Sequence, residues 1–183
     1  MKILETERLI LRQASIDDAE IILTLLNEPS FIRNIGDRGI RTLSEAHDYI
    51  LTRFIASYEN HGFGMYLVLM KETGAPAGIC GLVKREGLDD VDIGYAFLPQ
   101  HWSRGYATES ALAVKEYAKN TIGLERLVGI TDPQNHKSAR VLEKIGLKFE
   151  KIIRLSEDDI DLKLYSIDFN EQVCHPITAH NNE

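Results

Sequence analysis

Pro99-Gln-His-Trp-Ser-Arg-Gly-Tyr-Ala-Thr-Glu109 joins an apolar run to a helical pattern through a loop with little side-chain bulk. The apolar run, Val91–Leu98, is typical of a strand, and residues 106–120 place Ala, Val and Tyr side chains along one helical face. Gly105 and Ala107 let the backbone approach a ligand closely, and the first N–H groups of the helix have no partner within it. Because those groups and the helix dipole favour an anion, the sequence predicts a pyrophosphate-binding loop.

Strand and helix patterns extend on both sides of this unit. Apolar runs and alternation predict further strands at Glu7–Arg12, Met65–Met70, Ala77–Val83, Leu127–Thr131, Lys148–Leu155 and Asp161–Phe169. Capping signals and helical spacing predict helices from Ser15 to near Pro29, over residues 44–59, and from Asn135 to Gly146. Residues 30–41 show little periodicity. Strands that meander and then alternate with helices indicate a mixed α/β sheet in one domain, residues 1–169, followed by a polar tail, residues 170–183.

The length and composition place the chain among ordinary globular proteins. A chain of 183 residues with 44% hydrophobic and 27% charged residues can form a full hydrophobic core in one domain. Its net charge of −7 argues against broad electrostatic binding of nucleic acid or of an anionic membrane. Neither the amino-terminal residues nor any later window has the apolar run of a signal peptide or a membrane span, so we expect a cytoplasmic protein.

The cysteines and histidines show no disulfide or metal-binding pattern. Cys80 lies in an apolar run and Cys174 in the tail, and we expect both to be reduced thiols. The six histidines lack the spacing of metal ligands, so no metal is expected. The sequence also lacks the G-x-S-x-G, Walker and G-x-G-x-x-G motifs, which argues against the hydrolase and common nucleotide-binding folds.

Several blocks of sequence occur in one order along the chain: Thr6–Arg12, Asp92–Tyr95, Trp102–Glu109, Asn135–Ser138 and Leu142–Phe149. In these blocks the chain resembles the N-acetyltransferases of the GNAT superfamily, and in particular the RimJ/RimL-type ribosomal-protein N-terminal acetyltransferases. The resemblance extends from the first strand to about residue 169. It implies a GNAT fold, with about seven mostly antiparallel strands that splay apart between the fourth and the fifth and with helices on both faces. It also implies acetyl-CoA as the acyl donor.

The resemblance assigns the acyl-donor site to a defined set of residues. The superfamily's acetyl-CoA loop, Q/R-x-x-G-x-G/A, falls on Trp102, Gly105 and Ala107, and a tryptophan at its first position is similar to the RimJ/RimL branch. The implied cofactor contacts come from the splayed strand's backbone, the loop with the start of its helix, and the next helix: Phe97, Leu98, Trp102, Ser103, Arg104, Gly105, Tyr106, Ala107, Thr108, Asn135 and Ser138. The residues alone leave two alternatives: the small loop residues only let the helix pack on the sheet, and Asn135 only caps its helix.

Transfer of an acetyl group from a thioester to an amine needs a neutral amine, a donor to the developing oxyanion and a donor to the departing thiolate. By resemblance, Asp92 is the candidate base, acting directly or through water, although similar chains usually carry Glu at this position. The alternatives for Asp92 are a solvent-facing strand carboxylate or a salt bridge. A backbone N–H near Leu98 is the implied oxyanion donor.

The donor to the thiolate departs from the usual GNAT pattern. Many GNAT enzymes have a tyrosine seven residues after the Asn of this helix, and here Leu142 occupies that position. RimJ/RimL-like chains present a serine instead, which makes Ser138 the candidate donor, with Tyr165 of the last strand in reserve. Since a coenzyme A thiol has a pKa near ~8.5, a hydroxyl hydrogen bond or a water relay can suffice. The alternatives are that Ser138 only completes the helix N-terminus and that Tyr165 only fills the sheet.

The resemblance implies direct attack of an amine on bound acetyl-CoA, without an acetyl-enzyme. It favours the N-terminal α-amine of a protein or peptide, which with a pKa of ~8 is roughly a tenth neutral at pH 7, against about one part in a few thousand for lysine. A small-molecule amine, such as a polyamine, amino acid or antibiotic, stays open because residues 30–60 carry no decisive signature. A catalytically silent coenzyme A-binding sensor is the other alternative, and both a monomer and a homodimer stay open.

Overall fold

The computed structural model describes residues 1–156 and 160–170. Its strands form one sheet of eight in the order β1-β2-β3-β4-β5-β6-β8-β7. The strands are β1 (Lys2–Glu5), β2 (Leu9–Gln13), β3 (Met65–Met70), β4 (Pro76–Lys84), β5 (Val91–Phe97), β6 (Arg126–Thr131), β7 (Lys148–Ile153) and β8 (Leu162–Asp168). Neighbouring strands run antiparallel, except β5 and β6, which run parallel.

Helices cover both faces of this sheet. They are α1 (Ala19–Asn27), α2 (Pro29–Ile35), α3 (Leu43–Tyr49), α4 (Ala56–His61), α5 (Tyr106–Tyr117) and α6 (His136–Lys144). A π-helical segment, Ile50–Ile55, joins α3 to α4, and a second one, Ala118–Ile122, extends α5. Side chains of α1, α2 and α3 form one buried cluster with the sheet, and side chains of α5 and α6 form another. The predicted mixed α/β sheet with helices on both faces is confirmed.

The strand β3 shows how the sequence supplies both faces of the sheet. Tyr66 and Val68 belong to the cluster that contains α5, whereas Leu67 belongs to the cluster that contains α1. All three side chains are at most 1% exposed. Because successive side chains of a strand point to opposite faces, a continuous apolar run such as Met65–Met70 is what a strand buried on both sides requires.

The helix starts follow the predicted capping signals. The Thr42 hydroxyl oxygen accepts a hydrogen bond from the Glu45 N–H, and the Glu45 carboxylate accepts one from the Thr42 N–H. Asn135 caps α6 by accepting a hydrogen bond from the Ser138 N–H. Each of these short side chains satisfies an N–H group that the helix itself leaves without a partner, so the two predicted N-termini are confirmed.

The amino-terminal region differs from the sequence prediction. The predicted strand Glu7–Arg12 begins only at Leu9, as β2, and a separate strand β1 precedes it. The Thr6 N–H donates to the Leu9 carbonyl oxygen at 2.9 Å, and this tight turn lets β1 pair with β2. The sheet therefore has eight strands rather than about seven. The sequence of β1, Lys-Ile-Leu-Glu, has two adjacent apolar residues and no alternation, so periodicity does not indicate a strand there.

Pro29 begins a helix where the sequence prediction ended one. The extended backbone of Glu28, with ψ of 130°, separates α1 from α2, and Pro29 occupies the first position of α2. A proline suits that position because its missing N–H would have no partner there and its φ is already helical. Residues 30–41 show little periodicity although α2 lies partly within them, because a helix of this length gives little periodic signal.

The carboxyl-terminal strands are shorter than predicted. The predicted strands Lys148–Leu155 and Asp161–Phe169 correspond to β7 and β8. Residues 157–159, in the predicted turn between them, and residues 171–183, in the predicted tail, lie outside the described residues. The helix predicted over residues 44–59 extends further at both ends, as α3, the π-helical segment and α4.

Candidate active site

The strands β5 and β6 diverge in the middle of the sheet. The strand β4 pairs with β5 from Val91 to Phe97, whereas β6 pairs with β5 at the single position Asp92↔Val128. Beyond Asp92, β5 therefore has an unpaired edge that faces the gap towards β6. This gap is the splay that the resemblance implied between the fourth and fifth predicted strands.

The backbone groups that face the gap belong to alternate residues of β5. The Leu98 N–H donates to the Ala77 carbonyl oxygen of β4 at 3.0 Å. Since alternate residues of an antiparallel pair bond to the partner strand, Tyr95 and Phe97 turn their N–H and C=O groups towards the gap. The N–H of Leu98 is thus occupied, and the neighbouring N–H of Phe97 is the backbone donor that faces the gap.

The loop between β5 and α5 ends in a backbone turn that suits an anion. Gly105 has a φ of 83° at the N-cap of α5, and Ser103 has a φ of 59°. A positive φ is costly for a residue with a Cβ, so the surroundings of Ser103 must hold it in this conformation. Tyr106, Ala107 and Thr108 form the first turn of α5, whose N–H groups lack carbonyl partners within the helix. The loop therefore offers the donors that the sequence predicted for a pyrophosphate.

Residues near the amino terminus form hydrogen bonds with this loop and with the first turn of α5. Glu109 Oε1 accepts hydrogen bonds from the Thr6 hydroxyl at 2.6 Å and the Arg8 N–H at 2.9 Å, and Glu109 Oε2 accepts one from Arg8 Nε at 2.7 Å. Arg8 Nη1 also donates to the Arg104 carbonyl oxygen at 2.9 Å. We refer to Thr6, Arg8 and Glu109 as the loop clamp. The role of this clamp was not predicted from the sequence, although the block Thr6–Arg12 contains two of its residues.

Trp102 connects the loop to α6. Its indole Nε1 donates to the Phe97 carbonyl oxygen at 2.8 Å, and Lys137 Nζ lies 4.9 Å from the centroid of its ring. Because the Trp102 indole already donates to the Phe97 carbonyl oxygen, the carbonyl oxygen of Tyr95 is the acceptor on the free edge of β5 that can bind a ligand. A side chain that touches β5 and α6 together helps to fix the width of the gap.

The start of α6 places Asn135 and Ser138 at the gap. Asn135 Oδ1 accepts a hydrogen bond from the Ser138 N–H at 3.1 Å, so its amide NH2 is the group that can donate elsewhere. The Tyr95 hydroxyl lies 2.9 Å from the Ser138 carbonyl oxygen and 3.0 Å from Ser138 Oγ. Burial raises the pKa of Tyr95, which therefore keeps its proton. Tyr95 was not predicted as a site residue from the sequence, although the block Asp92–Tyr95 contains it.

Asp92 lies inside the sheet where β5 and β6 part. It is 1% exposed. Its Oδ2 accepts hydrogen bonds from Arg85 Nε at 3.0 Å and Arg85 Nη2 at 2.6 Å, and its Oδ1 accepts one from the Ile130 N–H at 3.3 Å. Burial raises the pKa of Asp92, and the Arg85 guanidinium opposes that shift. Of the alternatives for Asp92, the structure shows the salt bridge, and its role as base stays a prediction.

Tyr165 lies on β8 and is buried in the sheet. It is 3% exposed, and its ring packs edge-on against Phe149 with 5.8 Å between the centroids. Burial raises the pKa of its hydroxyl. Ser138 and Tyr95 line the cleft described next, whereas Tyr165 is not among its lining residues. Its contacts are those of a side chain that fills the sheet, and its role as a reserve donor stays a prediction.

The gap opens into a cleft of about 1900 Å³. One wall consists of the loop and the starts of α5 and α6. Residues of α2, the end of α3 and the π-helical segment also line the cleft, among them Phe31, Ile35, Tyr49 and Arg53. Residues 30–60, which carry no decisive sequence signature, therefore share the lining of this cleft with the predicted acyl-donor elements.

Metal-binding groups, membrane-spanning helices and reactive thiols can be described over residues 1–156 and 160–170. Within them, no group of three or more His, Cys, Asp or Glu side chains is arranged to hold a metal ion, and no helix is long and apolar enough to cross a bilayer. Cys80 is buried, and burial raises the pKa of its thiol to about 12, so it is a poor nucleophile. Cys174 lies outside the described residues.

Comparison with known proteins identifies the family. A family model for the acetyltransferase (GNAT) domain matches residues 8–148. The chain therefore belongs to the GNAT acetyltransferase family and is an acetyl-CoA-dependent enzyme. An uncharacterized N-acetyltransferase from Bacillus subtilis (strain 168), YoaA, is 33% identical over 155 residues, which cover 83% of this chain and 86% of the relative.

Solved structures agree on the fold. The acetyltransferase from Agrobacterium tumefaciens str. C58 has a TM-score of 0.77 at 28% identity, covering 91% of this chain and 94% of that one. RimL, a ribosomal L7/L12 alpha-N-protein acetyltransferase solved with coenzyme A, has a TM-score of 0.78 at 19% identity, covering 92% and 98%. The predicted RimJ/RimL-like GNAT fold is confirmed.

Proposed function

We propose that this enzyme acetylates the N-terminal α-amine of a protein or peptide, by direct attack of the amine on acetyl-CoA in a ternary complex. The observation that carries the proposal is the state of Asp92, which is 1% exposed and whose two oxygens accept hydrogen bonds from Arg85 and Ile130. Although burial raises the pKa of Asp92, both of its oxygens are already engaged by fixed donors, so the carboxylate is poorly placed to take a proton from an incoming ammonium group. The acceptor must then supply its own neutral amine, which an α-amine with a pKa of ~8 does far better than a lysine near ~10.4.

The geometry supports a division of roles around the gap. The N–H groups of residues 103–108 bind the pyrophosphate, and the free edge of β5 and the Asn135 amide bind the pantetheine arm. The Phe97 N–H donates to the oxyanion that forms when the amine attacks. Ser138 Oγ donates to the sulfur as the C–S bond breaks. The excess proton on the nitrogen passes to water.

Release of coenzyme A tests the acceptor class. Three classes of acceptor are assayed with the enzyme and acetyl-CoA. The first is a set of peptides with a free N-terminal amine, and the second is the same peptides blocked at the N-terminus but carrying one lysine. The third consists of small amines: spermidine, free amino acids and an aminoglycoside. We expect turnover with the free peptides and its loss on blocking. We also expect kcat/KM to rise about tenfold per pH unit and to level off near pH ~8, as the acceptor amine loses its proton.

Three outcomes would contradict the proposal. Turnover confined to spermidine or the aminoglycoside would identify a small-molecule enzyme. Equal acetylation of the blocked lysine peptides would show that the site deprotonates an alkyl amine, and Asp92 would again be the candidate base. Binding of acetyl-CoA with no release of coenzyme A on any acceptor would identify the silent sensor.

A further inference from the structure

The hydroxyl of Tyr95 and the side chain of Ser138 form a pair across the gap. Tyr95 lies on β5 and Ser138 on α6, 43 positions later, and the Tyr95 hydroxyl reaches both the carbonyl oxygen and Oγ of Ser138, at 2.9 and 3.0 Å. Both residues line the cleft. The contact therefore links the two sides of the splayed strands through the candidate donor to the thiolate.

The number of hydrogens limits what this pair can do. Each of the two hydroxyls carries one hydrogen. When Tyr95 donates to the Ser138 carbonyl, the Ser138 hydroxyl donates back to Tyr95, and its hydrogen is used within the pair. When Tyr95 shares its hydrogen between the Ser138 carbonyl oxygen and Oγ, both contacts keep a donor and the serine hydrogen is free to point into the cleft. The same oxygen positions thus allow two arrangements, of which the second presents a donor to the cleft.

We propose that Tyr95 is a positioning residue, which donates a hydrogen bond to Ser138 Oγ so that the Ser138 hydroxyl donates to the sulfur of coenzyme A. The inference rests on the role of Ser138 in the proposed function. A hydroxyl that accepts one hydrogen bond donates a stronger one, because neighbouring hydrogen bonds polarise each other. Burial raises the pKa of Tyr95, which keeps the hydrogen it donates. Tyr95 therefore sets both the direction and the strength of the serine's hydrogen bond.

The transfer step balances without either hydroxyl losing its hydrogen. The lone pair of the amine forms the C–N bond, and collapse of the tetrahedral intermediate breaks the C–S bond and leaves its electron pair on sulfur. The hydrogen bond from Ser138 stabilises this thiolate, which takes its proton from water. The proton released by the nitrogen also goes to water. The rate then depends on one hydrogen bond to sulfur, which Tyr95 positions.

The thiol of bound coenzyme A reports this hydrogen bond without any acceptor. The enzyme complex with coenzyme A is titrated, and the thiolate is followed by its ultraviolet absorbance, in the wild type, Tyr95→Phe, Ser138→Ala and the double variant. A free thiol has a pKa near ~8.5, and we expect a lower value in the wild-type complex. Each single variant should raise it by about half a unit or more, and the double variant should match Ser138→Ala, since Tyr95 acts through Ser138.

Turnover with a free N-terminal peptide gives a second measurement. Tyr95→Phe should lower kcat about three- to tenfold and leave the KM for acetyl-CoA within about twofold. It should cause no further loss when Ser138 is already Ala. Tyr117→Phe is the matched control, because it removes a hydroxyl from the end of α5, away from α6's first turn, and should leave the thiol pKa and kcat unchanged.

The outcomes separate the failure of this inference from failures of the proposed function. An unchanged thiol pKa in Tyr95→Phe, with a raised one in Ser138→Ala, would overturn the role of Tyr95 and leave Ser138 in place. An unchanged thiol pKa and an unchanged kcat in Ser138→Ala would show that Ser138 does not donate to the sulfur, and the role of Tyr95 would be overturned with it. Tyr95→Phe could also lower kcat by the same factor in the wild type and in Ser138→Ala, together with a lower unfolding temperature. That result would show that the hydroxyl only supports the fold. Because the titration contains no acceptor, it still tests the role of Tyr95 if the acceptor proves not to be an α-amine.

Discussion

The carboxylate of Asp92 completes the pairing of β5 with β6 at the residue where the two strands part. Its Oδ1 accepts the Ile130 N–H at 3.3 Å, as a strand carbonyl would in a regular parallel ladder, while Arg85 compensates its charge. Removing one partner of a buried ion pair leaves the other charge uncompensated. We therefore expect Asp92 to support the geometry of the gap and the stability of the fold.

Replacing Asp92 by Asn distinguishes this role from that of a base. Asn keeps an acceptor for the Ile130 N–H but loses the ion pair with Arg85. We expect the free energy of unfolding in urea to fall by about 1–3 kcal/mol. We also expect kcat to fall less than tenfold, whereas loss of a general base costs about 10²–10⁴-fold.

Asp90→Asn is the matched control for this substitution. Asp90 precedes the same strand, and its side chain is 39% exposed in its ion pair with Arg126, so its loss should change stability and kcat little. A hundredfold fall in kcat for Asp92→Asn, with wild-type stability, would instead make Asp92 the base.

At the scale of elements, the loop clamp fixes the N-terminus of α5 against the turn before β2. An acidic residue in the first turn of a helix is stabilised by the helix dipole, and Glu109 occupies that turn. Burial raises the pKa of Glu109, but the hydrogen bonds from the Thr6 hydroxyl and from Arg8 outweigh burial and hold the pKa below its ordinary value. Glu109 therefore stabilises the fold in its charged form.

Glu109→Gln tests the clamp through its dependence on pH. Because the folded-state pKa is lowered, the contribution of Glu109 is present above its ordinary pKa of about 4.5 and is lost as pH falls through the folded-state value. We expect Glu109→Gln to lower the free energy of unfolding by about 1–2 kcal/mol at pH 7 and to weaken acetyl-CoA binding several-fold. Urea unfolding at pH 7 and near pH 3 should show the difference in stability shrinking in acid.

Glu5→Gln serves as the control for the clamp. Glu5 forms its ion pairs with Lys2 and Lys71 on the surface rather than with the loop or α5, so its loss should leave acetyl-CoA affinity unchanged. An equal loss of stability at both pH values, or wild-type affinity in Glu109→Gln, would argue against a charged clamp that holds the loop.

The elements that the sequence predicted are those whose signals are local. The strand β5, its loop and α5 are consecutive, and small residues before a helix have a physical meaning that needs no distant partner. The contacts of Glu109 with Thr6, of Tyr95 with Ser138 and of Asp92 with Ile130 join positions 103, 43 and 38 residues apart. Neither spacing nor periodicity indicates such pairs. The short α2 was missed for a different reason, because seven residues barely define a helical face.

At the scale of the whole molecule, the sheet consists of two parts that meet at the gap. The strands β1 to β5 are joined to β6, β8 and β7 by the pairing at Asp92↔Val128, and side-chain contacts such as those of Trp102 and Tyr95 add to it. A ligand held by the loop on one side and by α6 on the other adds contacts between the two parts. Binding of acetyl-CoA should therefore stabilise the molecule as a whole.

Thermal unfolding with acetyl-CoA measures this coupling. At a ligand concentration about a hundredfold above Kd, binding adds ~2.7 kcal/mol, which corresponds to a rise in Tm of about 5–10 °C for a chain of this length. Gly105→Glu should abolish the rise, since it places a carboxylate at the anion site and a Cβ 3.2 Å from the Arg8 guanidinium. Gly74→Glu is the matched control: its φ of 69° carries the same backbone cost, nothing lies within 4 Å of its Cβ, and the full rise should persist. A normal rise in Gly105→Glu would place the pyrophosphate elsewhere, and slower hydrogen exchange in both β5 and α6 would confirm that the ligand joins the two parts.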